Sequence, residues 1–133
     1  MKTVIITGTS SGIGLDLVKT FDSNGYRVIS LSRNDLPNTT NFSENVNHIN
    51  FDITNNSDIN SLVELIKSKY SNIDVLINNA GNMYRGQIED LEEKKLLDIF
   101  NTNVISGMML LGKAKKYLAE TRGSNIFIGS VHN

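Results

Sequence analysis

The stretch TGTSSGIG, Thr7 to Gly14, spaces glycines as Gly8, Gly12 and Gly14 directly after an apolar run. That spacing meets three demands: a sharp turn free of Cβ constraint, a backbone bare enough to approach a pyrophosphate, and a helix packed close on a strand. The N–H groups of a helix opening here would face phosphates from the positive end of its dipole. Gly8, Thr9, Ser10, Ser11, Gly12, Ile13 and Gly14 are therefore candidate phosphate-binding residues, although a glycine-rich loop also serves as a plain turn. At the other end, NIFIGS runs from Asn125 to Ser130 and reads as a buried strand delivering a hydroxyl to a site. A lone serine in such a place more often caps or turns the chain than reacts.

Five apolar runs would position these residues: TVIIT (Thr3 to Thr7), RVISLS (Arg27 to Ser32), HINF (His48 to Phe51), DVLIN (Asp74 to Asn78) and NIFIG (Asn125 to Gly129). Continuous runs of this length fit strands buried on both faces, as in a parallel sheet covered by helices. Between the first two runs, Ile13, Leu17, Val18 and Phe21 share a helical face that stops at Asn24-Gly25. Ile59, Leu62, Val63 and Ile66 repeat the pattern, with Thr54 or Ser57 as N-cap. A long helical region is expected from Asp90 to about Arg122, opened by Asp90 and Glu93 at capping-box spacing. Leu96, Phe100, Asn103, Gly107 and Leu110 fall on one of its faces. The segment NDLPNTTNFSENVN holds the only proline and reads as loop. Strands alternating with helices imply an α/β domain over residues 1–133, a doubly wound parallel sheet that binds ligands at the carboxyl ends of its strands. Gly8, Ser32, Asp52, Asn79 and Ser130 all fall there.

Composition narrows the function classes. A net charge of −1 and 39% hydrophobic residues suit one soluble domain, without the basic footprint of a nucleic-acid binder or the composition of a disordered chain. There is no cysteine, hence no disulfide framework and no thiolate metal site. His48 and His132 are isolated and read as surface or loop histidines, so no metal site is expected. MKTVIITG reaches its glycines too soon for a signal peptide or membrane span, which points to the cytoplasm.

Together these stretches resemble the ordinary, non-extended branch of the short-chain dehydrogenases/reductases. Thr7, Gly8, Gly12 and Gly14 match that family's T-G-x-x-x-G-x-G motif. The resemblance implies a Rossmann-like fold and an NAD(P)-dependent oxidoreductase acting on a small-molecule carbonyl or alcohol. It also implies that Asp52, with its neighbour Ile53, contacts adenine. NNAG, Asn78 to Gly81, is similar to the family's motif at the end of the fourth strand, where Asn79 steadies the sheet and Ala80 and Gly81 lie along the cofactor. Asn103 matches an Asn that in the family kinks the long helix and organises a proton-relay water, and Ser130 matches the serine that hydrogen-bonds the substrate oxygen. After the second strand, Ser32 stands where chains preferring NAD carry an acid, and Arg33 follows. A guanidinium there pairs with a 2′-phosphate, so NADP is favoured, with NAD the alternative.

The sequence also departs from the family. The family's Tyr-x-x-x-Lys pair is missing: four residues beyond Tyr26, Tyr70, Tyr84 and Tyr117 stand Ser30, Asp74, Ile88 and Thr121. Losing a general acid/base costs about 10²- to 10⁴-fold. The expectation is thus a family member truncated after its fifth strand, inactive or nearly so as this chain. The alternative is a non-catalytic nucleotide-binding or assembly module. An open apolar edge at Asn125 to Gly129 and an uncovered stripe from Leu96 to Leu111 would favour a homo-oligomer.

Overall fold

Apolar residues on both sides of a strand require cover on both faces of its sheet, and the computed structural model, which describes residues 1–129, supplies it for the strands near the sheet centre but not for the fifth, which was expected to be buried and is largely exposed. Strands β1 (Thr3–Thr7), β2 (Arg27–Ser32), β3 (Val46–Asn50), β4 (Val75–Asn78) and β5 (Ser124–Phe127) form one parallel sheet in the order β3-β2-β1-β4-β5. The chain leaves β1 toward β2 on one side and later returns to β4 on the other, which creates a switch point at the β1 and β4 tips. Along β1 the side chains alternate between two cores. Ile5, with Ile29 and Leu76, packs under helix α2 (Asn56–Leu65) and helix α4 (Ser106–Thr121). Val4 and Ile6, with Val28 and Ile77, pack under helix α1 (Gly12–Ser23) through Val18.

β1 and β2 have the bounds their sequence implies, and α1 ends at Asn24 with Gly25 at φ 79°, where glycine is at ease. Elsewhere the local chemistry differs from the expectation. The N-cap of α2 is Asn55, whose side chain accepts from the N–H groups of Ser57 and Asp58. Thr54 is engaged elsewhere, its N–H and hydroxyl both donating to Asp52 Oδ1. Asp90 caps no helix: it closes a single 3₁₀ turn, Ile88–Asp90, and helix α3 (Glu93–Phe100) begins after Glu92 without a side-chain cap. α3 continues into α4 through a wide π turn, Asn101–Ile105, and a second π turn, Ile66–Tyr70, follows α2. β3 starts two residues earlier than its apolar run, at Val46, which pairs with Val28, and Asn47 is a satisfied polar member of the strand, its Nδ2 donating to the Tyr70 hydroxyl.

β5 lies at a sheet edge with Ile126 and Phe127 exposed. Leu97, Phe100, Val104, Ile105, Met108 and Met109 are at least 47% exposed along α3 and α4. Among the described residues, no helix is long and apolar enough to cross a membrane.

Candidate functional site

The tips of β1 and β4 are joined by side chain to backbone. Thr7 Oγ1 accepts from the N–H groups of Asn79 and Ala80, each at 3.0 Å, and Asn79 Nδ2 donates to the Gly8 carbonyl at 3.0 Å. Gly8 has φ 71°, and a Cβ on it would stand 2.8 Å from Ala80 Cα. At Gly14 a Cβ would lie 2.0 Å from the Gly8 carbonyl oxygen, so α1 rests directly on the loop that leads into it. Gly12, at φ 57°, has open space where a Cβ would be. Of the three glycines, two permit close contact within the protein and one leaves the outer face of the turn bare.

α1 therefore starts with its N–H groups presented outward. Its N-cap, Ser11, makes no side-chain bond to the first turn, and no acid stands in that turn to compete for an anion. In front of it lies a cleft of about 450 Å³. Gly8, Ser10 and Ser11 line it from the glycine loop, Ser32 and Arg33 from the end of β2, Asp52 and Ile53 beyond β3, and Ala80 and Gly81 beyond β4. Residues from four separate loops thus share one cavity.

The remaining candidates stand apart from its lining. Thr9 is fully buried beneath the loop, with its hydroxyl bonded to Ser30. Ile13 is 60% exposed on the outer rim, Gly14 is packing, and Asn79 is the strut just described. Asn103 uses its amide as a clamp, Oδ1 accepting from the Asn82 N–H and Nδ2 donating to the Asn82 carbonyl at 2.7 Å. It lies in the wide turn that links α3 and α4, the place where the helix was expected to bend. Ser130 and His132 lie outside the described residues.

Charge at the cleft is organised around Asp52. The Thr54 hydroxyl and then the Thr54 N–H, both donating to its carboxylate, hold it below the usual aspartate range, and the Arg33 guanidinium adds to the effect against the opposing influence of burial. Ser32 does not project freely into the cleft: its hydroxyl donates to the Asn34 carbonyl at 2.6 Å. Asp98, Asn101 and Thr102 also line the cavity and were not singled out from sequence. Their spacing, i, i+3 and i+4 on one helical side, was the available signal.

A second hollow of about 350 Å³ adjoins the first, with Thr7, Ile53, Ala80 and Thr102 common to both. It is lined by Asn78, Asn103, Gly107, Met108 and Phe127 among others. Asn78 Nδ2 donates to Asn125 Oδ1 at 2.8 Å, while Asn78 Oδ1 is buried without a partner. The two hollows adjoin as one cleft, polar beside the glycine loop and less polar toward the β5 tip.

This arrangement has clear counterparts. The family model described as short chain dehydrogenase matches residues 2–133. A (21S)-21-acetoxyl-apo-melianone synthase of Melia azedarach is 32% identical over 97% of this chain and 50% of its own. A short chain dehydrogenase from Leptospira borgpetersenii, solved with bound NAD+, superposes with a TM-score of 0.90 at 27% identity, covering 97% of this chain and 51% of the other. The aldohexose dehydrogenase of Thermoplasma acidophilum, solved free of ligand, gives 0.86 at 32% identity, covering 97% and 49%. The chain spans about half the length of the relatives it matches.

Proposed function

The chain belongs to the short-chain dehydrogenase family, and from that premise we propose that its cleft holds a nicotinamide dinucleotide, NADP in preference to NAD, for the reduction or oxidation of a small-molecule carbonyl/alcohol pair. The observation that carries the reading is the bare turn at Gly12 with the uncapped, acid-free start of α1 behind it. The residues present fit the group: a Cβ at Gly12 would meet no atom, and the cleft runs from that turn to Arg33, Asp52 and Ile53. When bound, the nicotinamide supplies the hydride donor or acceptor.

Each part of the chain has a role in this proposal. Gly8 to Gly14 present backbone N–H groups to the pyrophosphate. Arg33 pairs with the 2′-phosphate, while Asp52 and Ile53 border the adenine. Asn79 fixes Gly8, so that Ala80 and Gly81 keep a constant floor to the cleft. Asn103 holds the loop at Asn82 and keeps the wide turn facing the second hollow, where the substrate end of the site would lie. Ser130 donates a hydrogen bond to the substrate oxygen. The 133 residues contain no Tyr-x-x-x-Lys, so by themselves they bind nucleotide weakly and turn over little. Self-association belongs to the same reading: the exposed apolar residues of α3, α4 and β5 favour a homo-oligomer, and with it the second reading of a non-catalytic assembly module.

Thermal-shift titration with NADPH and NADH tests the proposal. A ligand at about 100 times its Kd stabilises the native state by about 2.7 kcal/mol, a readily measured rise in Tm. NADPH is expected to act at lower concentration than NADH, and R33A to remove a tenfold to hundredfold preference, since a charge-assisted bond contributes roughly 1.5–3 kcal/mol. A Tm indifferent to both dinucleotides at saturation overturns it.

A further inference from the structure

One titratable side chain outside the cleft lining connects two of its walls. His48 sits within β3 directly opposite Ser30 of β2. Ser30 is fully buried, and its Oγ lies 2.7 Å from Thr9 Oγ1 and 3.0 Å from His48 Nδ1. The other ring nitrogen, Nε2, lies 3.0 Å from the Asn34 carbonyl oxygen. A carbonyl can only accept, so the hydrogen of this bond is carried by Nε2. The Ser32 hydroxyl donates to the same carbonyl. A continuous polar chain thus runs from Thr9, under the glycine loop, through Ser30 and His48 to Asn34. Its inner end, at Thr9 and Ser30, is fully buried on the face of β2 that carries Val28, whereas the link from His48 to Asn34 lies at the surface. Buried polar atoms are costly unless each finds its partner, which makes the geometry at Ser30 strict.

Asn34 follows Arg33, the one basic side chain lining the cleft among the described residues. Resting on the reading that this cleft holds a dinucleotide, we propose that His48 is a positioning residue for cofactor selectivity: by tying the Asn34 carbonyl to Ser30 and Thr9, it fixes Arg33 relative to the phosphate-binding turn and so sets the preference for a 2′-phosphorylated dinucleotide. A histidine that only supported the fold would, when lost, weaken NADPH and NADH alike.

The experiment compares the full chain with H48Q and H48N by titration with NADPH and NADH. The Gln amide nitrogen can reach the Asn34 carbonyl where Nε2 stood, whereas Asn reaches only as far as Ser30. H48N is expected to lose roughly tenfold in NADPH affinity with NADH nearly unchanged, and H48Q to recover most of that loss, the scale being that of one charge-assisted bond. Equal losses for both dinucleotides, an unaltered ratio in H48N, or no recovery in H48Q overturns the inference. Should H48N fail to fold, ¹⁵N spectra of the unsubstituted chain decide: the His48 Nε2–H signal is expected to shift on adding NADPH and not NADH, and an equal response refutes the idea. If the unsubstituted chain binds neither dinucleotide, the proposed function falls as well. If it binds both and His48 is indifferent, only the present inference falls.

Discussion

Gly14→Ala and Gly12→Ala differ by two residues in the same turn, and the first should cost clearly more than the second. At Gly14 the added methyl would lie 2.0 Å from the Gly8 carbonyl oxygen, 2.7 Å from its carbon and 2.6 Å from Asn79 Nδ2. Two of these atoms are backbone, so the helix or the loop must move by about 1 Å to restore ordinary contact. Overpacking of this kind costs roughly 1–3 kcal/mol. The movement also breaks the bond from Asn79 Nδ2 to the Gly8 carbonyl, and leaving such partners unsatisfied adds about 1–3 kcal/mol. G14A is therefore expected to lose roughly 2–6 kcal/mol, a large share of the 5–15 kcal/mol typical of a domain. At Gly12 the methyl meets nothing within 4 Å, and only the positive φ is charged against it, about 1–2 kcal/mol. Urea unfolding followed by far-UV circular dichroism measures both variants. With m unchanged, the midpoint of G14A should fall further than that of G12A, roughly two- to threefold at the centres of the two ranges. Equal midpoints would refute the claim that α1 bears on the loop through Gly14.

N55A removes the acceptor for two N–H groups at the start of α2 and should cost about 1 kcal/mol in thermal or urea unfolding, whereas S57A should be nearly silent. Because the Asp52 carboxyl is held below its ordinary range by Thr54, its contribution to stability is complete above about pH 4–5 and is lost as pH falls through the depressed value. D52N should flatten the acid limb of a stability-versus-pH curve and leave its slope near pH 7 unaltered. The apolar residues exposed along α3, α4 and β5 should drive self-association at micromolar concentration, measured by sedimentation velocity. L97K and I105K should shift the chain toward the monomer, and a stable unsubstituted monomer would count against the homo-oligomer.

Legibility in the sequence tracked how local the deciding interaction was. β1 and β2 are unbroken apolar runs whose burial on both faces needs no knowledge of a partner, and their bounds agree with the sequence to the residue. The cleft residues of the glycine loop, Asp52 and the NNAG turn were legible because a motif at a strand end implies a place at the carboxyl edge of the sheet. The cap of α2 was not: Thr54, Asn55 and Ser57 are all capping types, and the choice depends on Asp52 drawing Thr54 into its own turn. The Asp90 and Glu93 spacing misled because a 3₁₀ turn ends at Asp90, and neither that turn nor the π turns leaves a periodic trace. His48 was read as a surface or loop residue, since nothing near it in the chain signals Ser30, eighteen positions away. Asp98, Asn101 and Thr102 were overlooked for a different reason. The periodicity that marks a helix in a sequence is carried by its apolar residues, and polar side chains on the other side leave no such trace.

The order of strands has a bearing on how the molecule comes into being. β1 lies in the middle of the sheet, yet its partner on one side, β4, lies about seventy positions further along the chain. On a ribosome, β1, α1, β2 and β3 emerge first and can pair among themselves, while the flank of β1 that later receives Val75, Leu76 and Ile77 waits without hydrogen-bonding partners. Closing that gap joins distant segments and is the slow kind of contact. A nascent chain of this design thus spends its most vulnerable interval with its central strand half-satisfied, a stage at which chaperone binding or a neighbouring ribosome's product would compete for the same backbone.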